Sequence, residues 1–320
     1  MKKDKVKVGL MLGGGGAKGA YQLGVIKALE EAQLIKYIKA ISGTSIGAIN
    51  TLLLMSKRKH EDISKIWELI DKDNVFGTKG TLLSKDNRMY SLKPLSETLI
   101  KEISLKSIQK SKFKGFATTS KMYHKVSILH QIKTDTMEKR VFNLNEFSDP
   151  YIAVMASASF PVVFGPTQIG DDHYVDGGLL DNYPIQPLID AGCNLILAVA
   201  LDDRFNPNIY DNTNINIINF TAQTAFEKNI LKDLMDVMKF DHNFKSEKEE
   251  IGYVVGKIMI KKMYEERYLT PFMGMNFWYK RPNFKVLSLS PEDELYLKRL
   301  SVHKKRKKLI LKEPPKGDNL

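Results

Sequence analysis

A serine flanked by two glycines is the sequence feature that most constrains how this chain folds. Ser45 stands between Gly43 and Gly47 at G-x-S-x-G spacing, directly after an apolar run and before a helix-like segment at residues 46–56. This order is typical of a nucleophile elbow, a sharp strand-to-helix turn that exposes the serine hydroxyl. The glycines remove the Cβ atoms that would clash in such a turn. The pattern predicts a nucleophilic serine at the N-terminus of a helix, whose dipole and free amides point at the site.

A run of four glycines follows the apolar stretch at residues 6–12, from Gly13 through Gly14 and Gly15 to Gly16. Glycine lets the backbone turn its amides inward and lets a ligand approach closely. Because a helix-like segment begins at residue 21, the run predicts an anion-binding loop at a helix N-terminus. Such a loop suits a phosphate group and an oxyanion equally.

A nucleotide site is the alternative interpretation of this loop. Gly14, Gly16 and Gly19 match G-x-G-x-x-G after a predicted strand. A dinucleotide fold also needs an acidic residue about 20 residues further on, and residues 37–42 contain none. A P-loop needs G-K-S/T, whereas Lys18 precedes Gly19 in this chain. A nucleotide-binding α/β enzyme therefore stays only as the alternative.

The third motif is an aspartate before two glycines, at Asp176, Gly177 and Gly178. This order is common in turns, so the motif alone indicates only a turn. Shortly before it, residues 155–166 change from small residues to proline and aromatic residues. The aspartate gains significance from its combination with the two earlier motifs.

In this combination the chain resembles the patatin-like phospholipase family. Members carry a G-G-G-x-K/R-G loop, a G-T-S-x-G elbow, an A-S-x-A-x-P-x-x-F segment and a D-G-G/A turn, in that order. The resemblance covers roughly residues 5–200. Two positions depart from the pattern: Ser159 stands where alanine is frequent, and Gly13 stands where many members carry aspartate or serine.

The resemblance implies an α/β fold, a three-layer α/β/α core related to the α/β-hydrolases, and hydrolysis of lipid esters without a cofactor. It implies that Ser45 is the nucleophile and Asp176 the general base. The oxyanion hole would consist of the amides of Gly14, Gly15 and Gly16. The supporting residues would be Lys18, Gly19, Gly43, Gly47, Gly177 and Gly178.

The carboxyl group limits the chemistry of such a dyad. A serine hydroxyl needs a base within about 2.6–3.2 Å, and an aspartate at its usual pKa of about 3.9 is a poor base. Burial would raise the pKa of Asp176 and a hydroxyl donor would lower it, so the sequence leaves the net change open. For Lys18, a position beside the substrate phosphate or oxyanion and a solvated position on the first helical turn both remain open.

A catalytic triad would need a histidine in addition. Chain order favours His242 or His303, but both stand in charged, helix-like stretches. His173 precedes Asp176 by three residues in a turn-like stretch. We therefore expect a dyad without a histidine base. The six histidines of the chain are His60, His124, His130, His173, His242 and His303.

Length and composition fit one large enzyme domain with an extension. A chain of 320 residues with 43% apolar content can bury a core without disulfides or metal. The single cysteine, Cys193, lies in a predicted strand and is expected to be buried, and no Cys/His cluster has metal-ligand spacing. We expect a catalytic domain at residues 5–200 and a mostly helical extension with a basic tail at residues 201–320. Because the first apolar stretch is too short for a signal peptide and no run reaches the ~20 residues of a membrane span, we expect a cytoplasmic protein.

The apolar pattern predicts the elements that carry these motifs. It begins with a βαβ unit formed by strands at residues 6–12 and 38–42 and a helix at residues 21–32. Further helices are predicted at residues 61–70, 92–103, 222–240 and 245–266. Further strands are predicted at residues 113–120, 125–134, 168–175, 193–200 and 215–220, with a turn at residues 121–124.

The net charge of +12 is concentrated near the C-terminus, where eight cations lie between residues 298 and 312. Apolar residues alternate with them, so a helix on an anionic membrane and a solvated tail are both consistent with the pattern. The aromatic residues Phe272, Phe277 and Trp278 would suit either insertion at a membrane surface or packing on the C-terminal region. No nucleic-acid recognition motif accompanies the charge, so we expect no nucleic-acid partner. The oligomeric state stays open.

Three functions are consistent with the sequence. We favour a serine lipid acyl hydrolase of the phospholipase A or lysophospholipase type, whose substrate is a phospholipid or another lipid ester. The nucleotide-binding enzyme is one alternative. A non-catalytic lipid-binding protein is the other, although the intact serine, aspartate and glycine loop argue against it.

Overall fold

The structure is a computed structural model, and it describes residues 5–56, 59–70, 90–123, 132–161, 163–210, 214–226, 242–281 and 286–310. Within these residues the chain forms helices α1 (Ala20–Glu31), α2 (Ile46–Ser56), α3 (His60–Leu69), α4 (Lys93–Glu102), α5 (Leu105–Gln109), α6 (Pro150–Ser157), α7 (Gln186–Asp190), α8 (His242–Glu265) and α9 (Pro291–Ile310). The strands are β1 (Val8–Leu12), β2 (Ile38–Thr44), β3 (Lys114–Met122), β4 (Met137–Asn143), β5 (Thr167–Ile169), β6 (Asp172–Asp176), β7 (Leu195–Val199), β8 (Asn216–Asn219), β9 (Leu269–Phe272), β10 (Met275–Trp278) and β11 (Val286–Leu287).

One mixed sheet of nine strands forms the centre of the fold. Its order is β11-β8-β7-β1-β2-β3-β6-β5, and β4 pairs with β3 in addition. The neighbours of β1 are parallel to it, as a βαβ unit requires. The predicted start of the chain, a strand, a helix and a second strand, is confirmed.

Helices and loops cover both faces of this sheet. Leu10 and Leu12 of β1 pack into the same apolar core as α1, α2 and α8. Met11 points to the other face, because strand side chains alternate, and packs with Leu188 of α7 and with Phe205. The sheet is therefore buried between two layers, and the predicted three-layer α/β/α core is confirmed.

Two strands of opposite direction end beside the middle of β3. Strand β2 runs parallel to β3, and its last residue, Thr44, pairs with Thr118. Strand β6 runs antiparallel to β3, and its last residue, Asp176, pairs with Thr119. The ends of β2 and β6 therefore meet at one point of the sheet.

Of the predictions for the middle of the chain, two need correction and one concerns residues that the structure mostly does not describe. Strand β3 continues to Met122, so the predicted turn at residues 121–124 begins too early. The strand predicted at residues 168–175 is in fact two antiparallel strands, β5 and β6, because Gly170 turns the chain with φ 61°. The strand predicted at residues 125–134 falls mainly on residues outside those described. Strand β4 was not predicted, because its charged residues are exposed and give no apolar alternation.

The segment beyond residue 200 contributes to the same sheet. Strands β8 and β11 extend it beside β7. Helix α8, predicted at residues 245–266, crosses α1 so closely that a Cβ on Gly24 would lie 1.9 Å from the Glu249 carbonyl oxygen. The helix predicted at residues 222–240 lies mostly outside the described residues, and Gln223–Ala225 form a short 3₁₀ turn instead. The division into a catalytic domain and an extension stays a prediction.

The β9–β10 hairpin carries the three aromatic residues singled out in the sequence. Phe272 and Phe277 are 59% and 42% exposed. Trp278 instead packs edge to face against Tyr37. None of the helices within the described residues is long and apolar enough to cross a membrane.

Candidate active site

Ser45 occupies the turn between β2 and α2 in a backbone conformation that serine rarely adopts. Its φ is 56°, in the left-handed region, which costs roughly 1–2 kcal/mol for a residue with a Cβ. The turn also needs its glycines: a Cβ on Gly43 would lie 2.1 Å from the Gly47 carbonyl oxygen, and one on Gly47 would lie 2.0 Å from the Leu12 carbonyl oxygen. The predicted strained elbow with its two glycines is therefore present at Ser45.

A buried serine of α6 ties this elbow to the sheet. The Ser45 amide donates to Ser157 Oγ over 2.9 Å, and Ser157 Oγ donates to the Thr118 carbonyl over 2.6 Å. On the preceding residue, Thr44 Oγ1 donates to the Asp181 carbonyl over 2.9 Å. Reasoning from the residues gave Ser157 no role, and only its place in the small-residue segment before the aspartate pointed to it.

Asp176 ends β6 and is buried, with 3% of its surface exposed. Its Oδ1 accepts a 2.7 Å hydrogen bond from the Gly178 amide. Gly177 is needed for the close approach to β3, because a Cβ there would lie 2.1 Å from the Thr118 carbonyl oxygen. The D-G-G motif is thus a turn, as its composition suggests, and it also fixes the carboxyl group.

The environment of Asp176 raises its pKa from 3.8 to about 6. Burial is the main cause, since it penalises the charged form, and the nearby Ser45 side chain and the Gly178 amide oppose it. The second carboxyl oxygen, Oδ2, is buried and has no partner at standard hydrogen-bond distance in the described structure. The Ser45 side chain therefore lies near enough to lower the pKa of the carboxyl group, although Oδ2 has no hydrogen-bond partner among the described residues.

The glycine loop leads into a 3₁₀ turn, Gly16–Gly19, which continues into α1. The amides of Gly15 and Gly16 donate to no acceptor among the described residues. The Gly14 amide differs from them, because Asn182 accepts from it through Oδ1 over 3.2 Å and through its carbonyl oxygen over 3.4 Å. Of the three amides expected to bind an oxyanion, two are open and one is engaged.

The sequence left two positions open for Lys18, and the structure does not place it in the solvated one. It is buried, with 2% of its surface exposed, and its Nζ lies 5.6 Å from the centre of the Phe226 ring. Its stem contacts the glycine loop, since a Cβ on Gly15 would lie 3.2 Å from Lys18 Cε. At Gly19, the residue after Lys18, a Cβ would lie 2.4 Å from Ile46 Cγ1. The lack of a side chain at Gly19 therefore allows the loop to pack closely against the first residue of α2.

The described histidines do not form a triad geometry with the serine. His60 hydrogen-bonds with Glu249 at 2.7 Å, between α3 and α8. His173 stands three residues before Asp176 on the same strand, so strand alternation points the two side chains to opposite faces. His242 is the first residue of α8. His124 and His130, and the side chain of His303, lie outside the described part of the chain.

Ser159 and Cys193, two further residues noted in the sequence, have structural surroundings. Ser159 Oγ is buried and contacts Thr167 Oγ1 at 2.6 Å and the Met155 carbonyl at 2.9 Å, so the departure from alanine is accommodated by hydrogen bonds. Cys193 is buried, as predicted, and burial raises the pKa of its thiol to about 11. In the described ranges, no group of His, Cys, Asp and Glu side chains is arranged to hold a metal ion.

Several known proteins are similar to this chain. The family model described as patatin-like phospholipase matches residues 10–189. The lysophospholipase NTE1 of Kluyveromyces lactis is 29% identical over 213 residues, which is 65% of this chain and 14% of the yeast protein. The probable lipid hydrolase 463L of Invertebrate iridescent virus 6 is 28% identical over 236 residues, which is 68% of this chain and 79% of the viral protein.

Among solved structures, similarity to this chain occurs at low sequence identity. The crystal structure of VipD from Legionella pneumophila matches with a TM-score of 0.48 and 15% identity, over 81% of this chain and 67% of that one. Compared with the NTE1 lysophospholipases, the present chain spans only a small fraction of the relatives' length, 14% in the case of K. lactis.

Proposed function

The chain belongs to the patatin-like phospholipase family, whose model matches more than half of its residues, and we propose that it is a serine lipid acyl hydrolase. The resemblance drawn from the sequence motifs is thereby confirmed at the level of the family. The hydrolytic activity, its substrate and the roles of the residues are our proposals.

The observation that carries this proposal is the pairing of a strained Ser45 with a buried Asp176. The carboxyl group has a pKa of about 6, so it is ionised at neutral pH and is a stronger base than an ordinary aspartate. The serine has the elbow conformation that exposes a nucleophile. A buried carboxyl group with an unpartnered oxygen lowers the stability of the fold. A catalytic role beside such a serine accounts for its presence.

The reaction follows from these positions. Asp176 accepts the proton of Ser45 Oγ as that oxygen attacks the ester carbonyl carbon. The amides of Gly15 and Gly16 donate to the oxyanion that forms, and the dipole of α1 adds to their effect. The proton then passes from Asp176 to the alkoxide oxygen of the leaving group, which departs as an alcohol.

Water completes the cycle. Asp176 accepts a proton from the water molecule as it attacks the acyl-Ser45 ester. Collapse of the second tetrahedral intermediate releases the fatty acid and returns the proton to Ser45 Oγ. No step requires a metal ion or a histidine.

The substrate class follows from the relatives and the charge of the chain. The yeast relative is named a lysophospholipase and the viral one a probable lipid hydrolase. We therefore propose a phospholipid, a lysophospholipid or another lipid ester as the substrate. The basic C-terminal region and a cytoplasmic location with a peripheral membrane contact are part of the same proposal, supported by the net charge of +12.

Hydrolysis assays on a panel of glycerophospholipids, lysophospholipids and p-nitrophenyl esters, without added calcium, test this function. We expect ester hydrolysis by the full chain and none by Ser45→Ala. Ser91→Ala is a matched control, because it removes a half-buried serine hydroxyl from the segment before α4. Nucleotide binding without hydrolysis would favour the nucleotide-binding enzyme instead, and lipid binding without hydrolysis the non-catalytic lipid-binding protein.

A further inference from the structure

Asn182 lies between the glycine loop and the turn that follows Asp176. Its side-chain amide pairs with both backbone polar groups of one loop residue: Gly14 N donates to Oδ1 over 3.2 Å, and Nδ2 donates to Gly14 O over 3.4 Å. On the other side, a Cβ on Gly178 would lie 3.0 Å from the same Oδ1. Asn182 therefore contacts both segments that carry the proposed chemistry.

This pairing determines where the next amide points. The carbonyl of Gly14 and the N–H of Gly15 belong to one peptide unit, and this unit is trans. In a planar trans peptide the two groups point in opposite directions. By holding the Gly14 oxygen, Asn182 directs the Gly15 N–H away from itself, and that amide has no acceptor among the described residues.

Asp202, in turn, holds the Asn182 side chain in the required orientation. It is buried, with 4% of its surface exposed, and its Oδ2 accepts from Asn182 Nδ2 over 3.2 Å. An ionised carboxylate only accepts hydrogen bonds, so the NH₂ group of Asn182 must face it and Oδ1 must face Gly14. Tyr183 OH and Arg204 complete the shell of donors around this carboxylate, the latter from its amide and from Nη2, each over 2.9 Å.

The ionised state of Asp202 is favoured by these donors. Burial acts against ionisation, but hydrogen bonds from Arg204 and Tyr183 outweigh it and lower the pKa of Asp202 below 3.8. The carboxylate is therefore charged throughout the pH range in which Asp176 titrates.

We infer that Asn182, oriented by Asp202, is a positioning residue that fixes the direction of the Gly15 amide for binding the oxyanion. The inference rests on the proposed hydrolase function. A run of four glycines has few steric constraints of its own, so its peptide planes rotate unless something outside the run holds them. Asn182 provides that constraint from a segment far away in the sequence.

The effect of losing it is expected in kcat. An oxyanion donor acts on the transition state more than on the ground state, so its misalignment lowers kcat and leaves KM nearly unchanged. Loss of one such donor typically costs about 10²- to 10³-fold in rate. A residue that only stabilised the fold would change the thermal midpoint without this effect on kcat.

The chain offers a matched control for this test. Asn216 on β8 is buried, whereas Asn182 is half-buried. The Asn216 side-chain amide pairs in the same way with Arg281, whose amide donates to Oδ1 and whose carbonyl accepts from Nδ2, each over 3.0 Å. Asn182→Asp and Asn216→Asp therefore remove the same donor from the same kind of backbone pair. Asn216 has no part in the proposed chemistry.

The experiment compares these two variants with the unaltered chain in kcat and KM on a soluble p-nitrophenyl ester, in thermal midpoint and in the rate of fluorophosphonate labelling of Ser45. We expect Asn182→Asp to lower kcat and the labelling rate by about 10²-fold with little change in KM. Asn216→Asp is expected to keep kcat near that of the unaltered chain, whatever its thermal midpoint. Asp202→Asn, which keeps the shape but removes the charge, is expected to lower kcat by a smaller factor.

Each result decides the inference. If Asn182→Asp is folded and as active as Asn216→Asp, Asn182 is not a positioning residue, although the proposed hydrolase function stands. If Asn182→Asp does not fold, an unchanged kcat in Asp202→Asn overturns the inference instead. If the unaltered chain neither hydrolyses any ester nor is labelled, the proposed function fails and this inference fails with it.

Discussion

Asp176 lies beside Ser45 because the strands that carry them end at adjacent residues of β3. Thr44, the residue before the serine, pairs with Thr118, and Asp176 pairs with Thr119. Strands β2 and β6 run in opposite directions alongside β3. Ser45 and Asp176, which respectively follow and end these strands, therefore lie at the same level of β3. The backbone pairing of β3, more than any side-chain contact, holds the two groups together.

Two replacements of Ser45 distinguish the cost of its backbone strain from its role in catalysis. We expect Ser45→Ala and Ser45→Gly both to abolish hydrolysis and fluorophosphonate labelling. Because alanine at a φ of 56° keeps the Cβ penalty of roughly 1–2 kcal/mol, Ser45→Gly should be the more stable of the two variants. Chemical denaturation of both variants measures the difference. Labelling that persists at another serine in either variant would contradict the assignment.

Replacing the base should reduce activity and increase stability. Asp176→Asn keeps the size of the side chain but removes the proton acceptor, so turnover should fall by about 10²-fold or more. The ionised carboxyl is disfavoured by burial, and the difference between 3.8 and about 6 corresponds to roughly 3 kcal/mol. The folded state binds the extra proton, so this penalty grows as pH rises from 3.8 to about 6 and is constant above that range.

Denaturation at pH 5 and pH 8 checks this linkage. Asp176→Asn should therefore gain more stability, relative to the unaltered chain, at about pH 8 than at about pH 5. The exposed Asp171→Asn, from the turn between β5 and β6, is the control and should change neither stability nor turnover. A loss of stability in Asp176→Asn at both pH values would contradict the raised pKa.

The pH dependence of turnover should reflect the same carboxyl group. Only ionised Asp176 accepts a proton, so kcat on a soluble ester should rise with an inflection near pH 6 and then level off. A histidine base would titrate in a similar range, so the profile alone does not decide between them. His60→Gln and His173→Gln should keep both the rate and the inflection. Loss of turnover in a single histidine variant would replace the dyad with a triad.

Gly47, two residues after the nucleophile, should not tolerate a side chain. A Cβ on Gly47 would lie 2.0 Å from the Leu12 carbonyl oxygen, a backbone atom of the central strand. We expect Gly47→Ala to cost about 3 kcal/mol or more in unfolding free energy. Gly170→Ala is the matched control: its φ is 61° but no atom lies within 4 Å of the added Cβ, so it should cost only about 1–2 kcal/mol. Equal losses of unfolding free energy in the two variants would show that the elbow rearranges to accommodate the Cβ on residue 47.

The basic tail should affect access to a membrane and leave bond cleavage unchanged. Deleting residues 304–320 removes most of the clustered cations, so activity on anionic vesicles should fall while activity on a soluble ester is retained. The difference should shrink as salt screens the attraction. Equal losses on both substrates would show that this segment supports the fold. The same comparison on neutral vesicles is the control.

The sequence alone determined the local parts of this protein. The helix after the nucleophile was predicted at residues 46–56 and is Ile46–Ser56, because a turn signal and an apolar run are local information. Gly43 is explained by the same local geometry, because a Cβ there would meet the Gly47 carbonyl, whereas Gly47 is required by the approach of Leu12 from a distant strand. The family, and with it the three-layer core, followed from the order of four short motifs.

The tertiary structure decided what depends on distant contacts. The pKa of Asp176 was open in the sequence because burial and the serine hydroxyl act in opposite directions, and only the packing around β6 shows that burial prevails. The engagement of the Gly14 amide by Asn182 was equally beyond prediction, since loop and asparagine meet only through the fold. By contrast, the separation of β5 from β6 was available locally, because Gly170 lies in a turn-like stretch, across which the predicted strand was nevertheless extended. Patterns along the chain predict local conformation, whereas charge states and hydrogen-bond partners are set by residues that only the folded chain brings together.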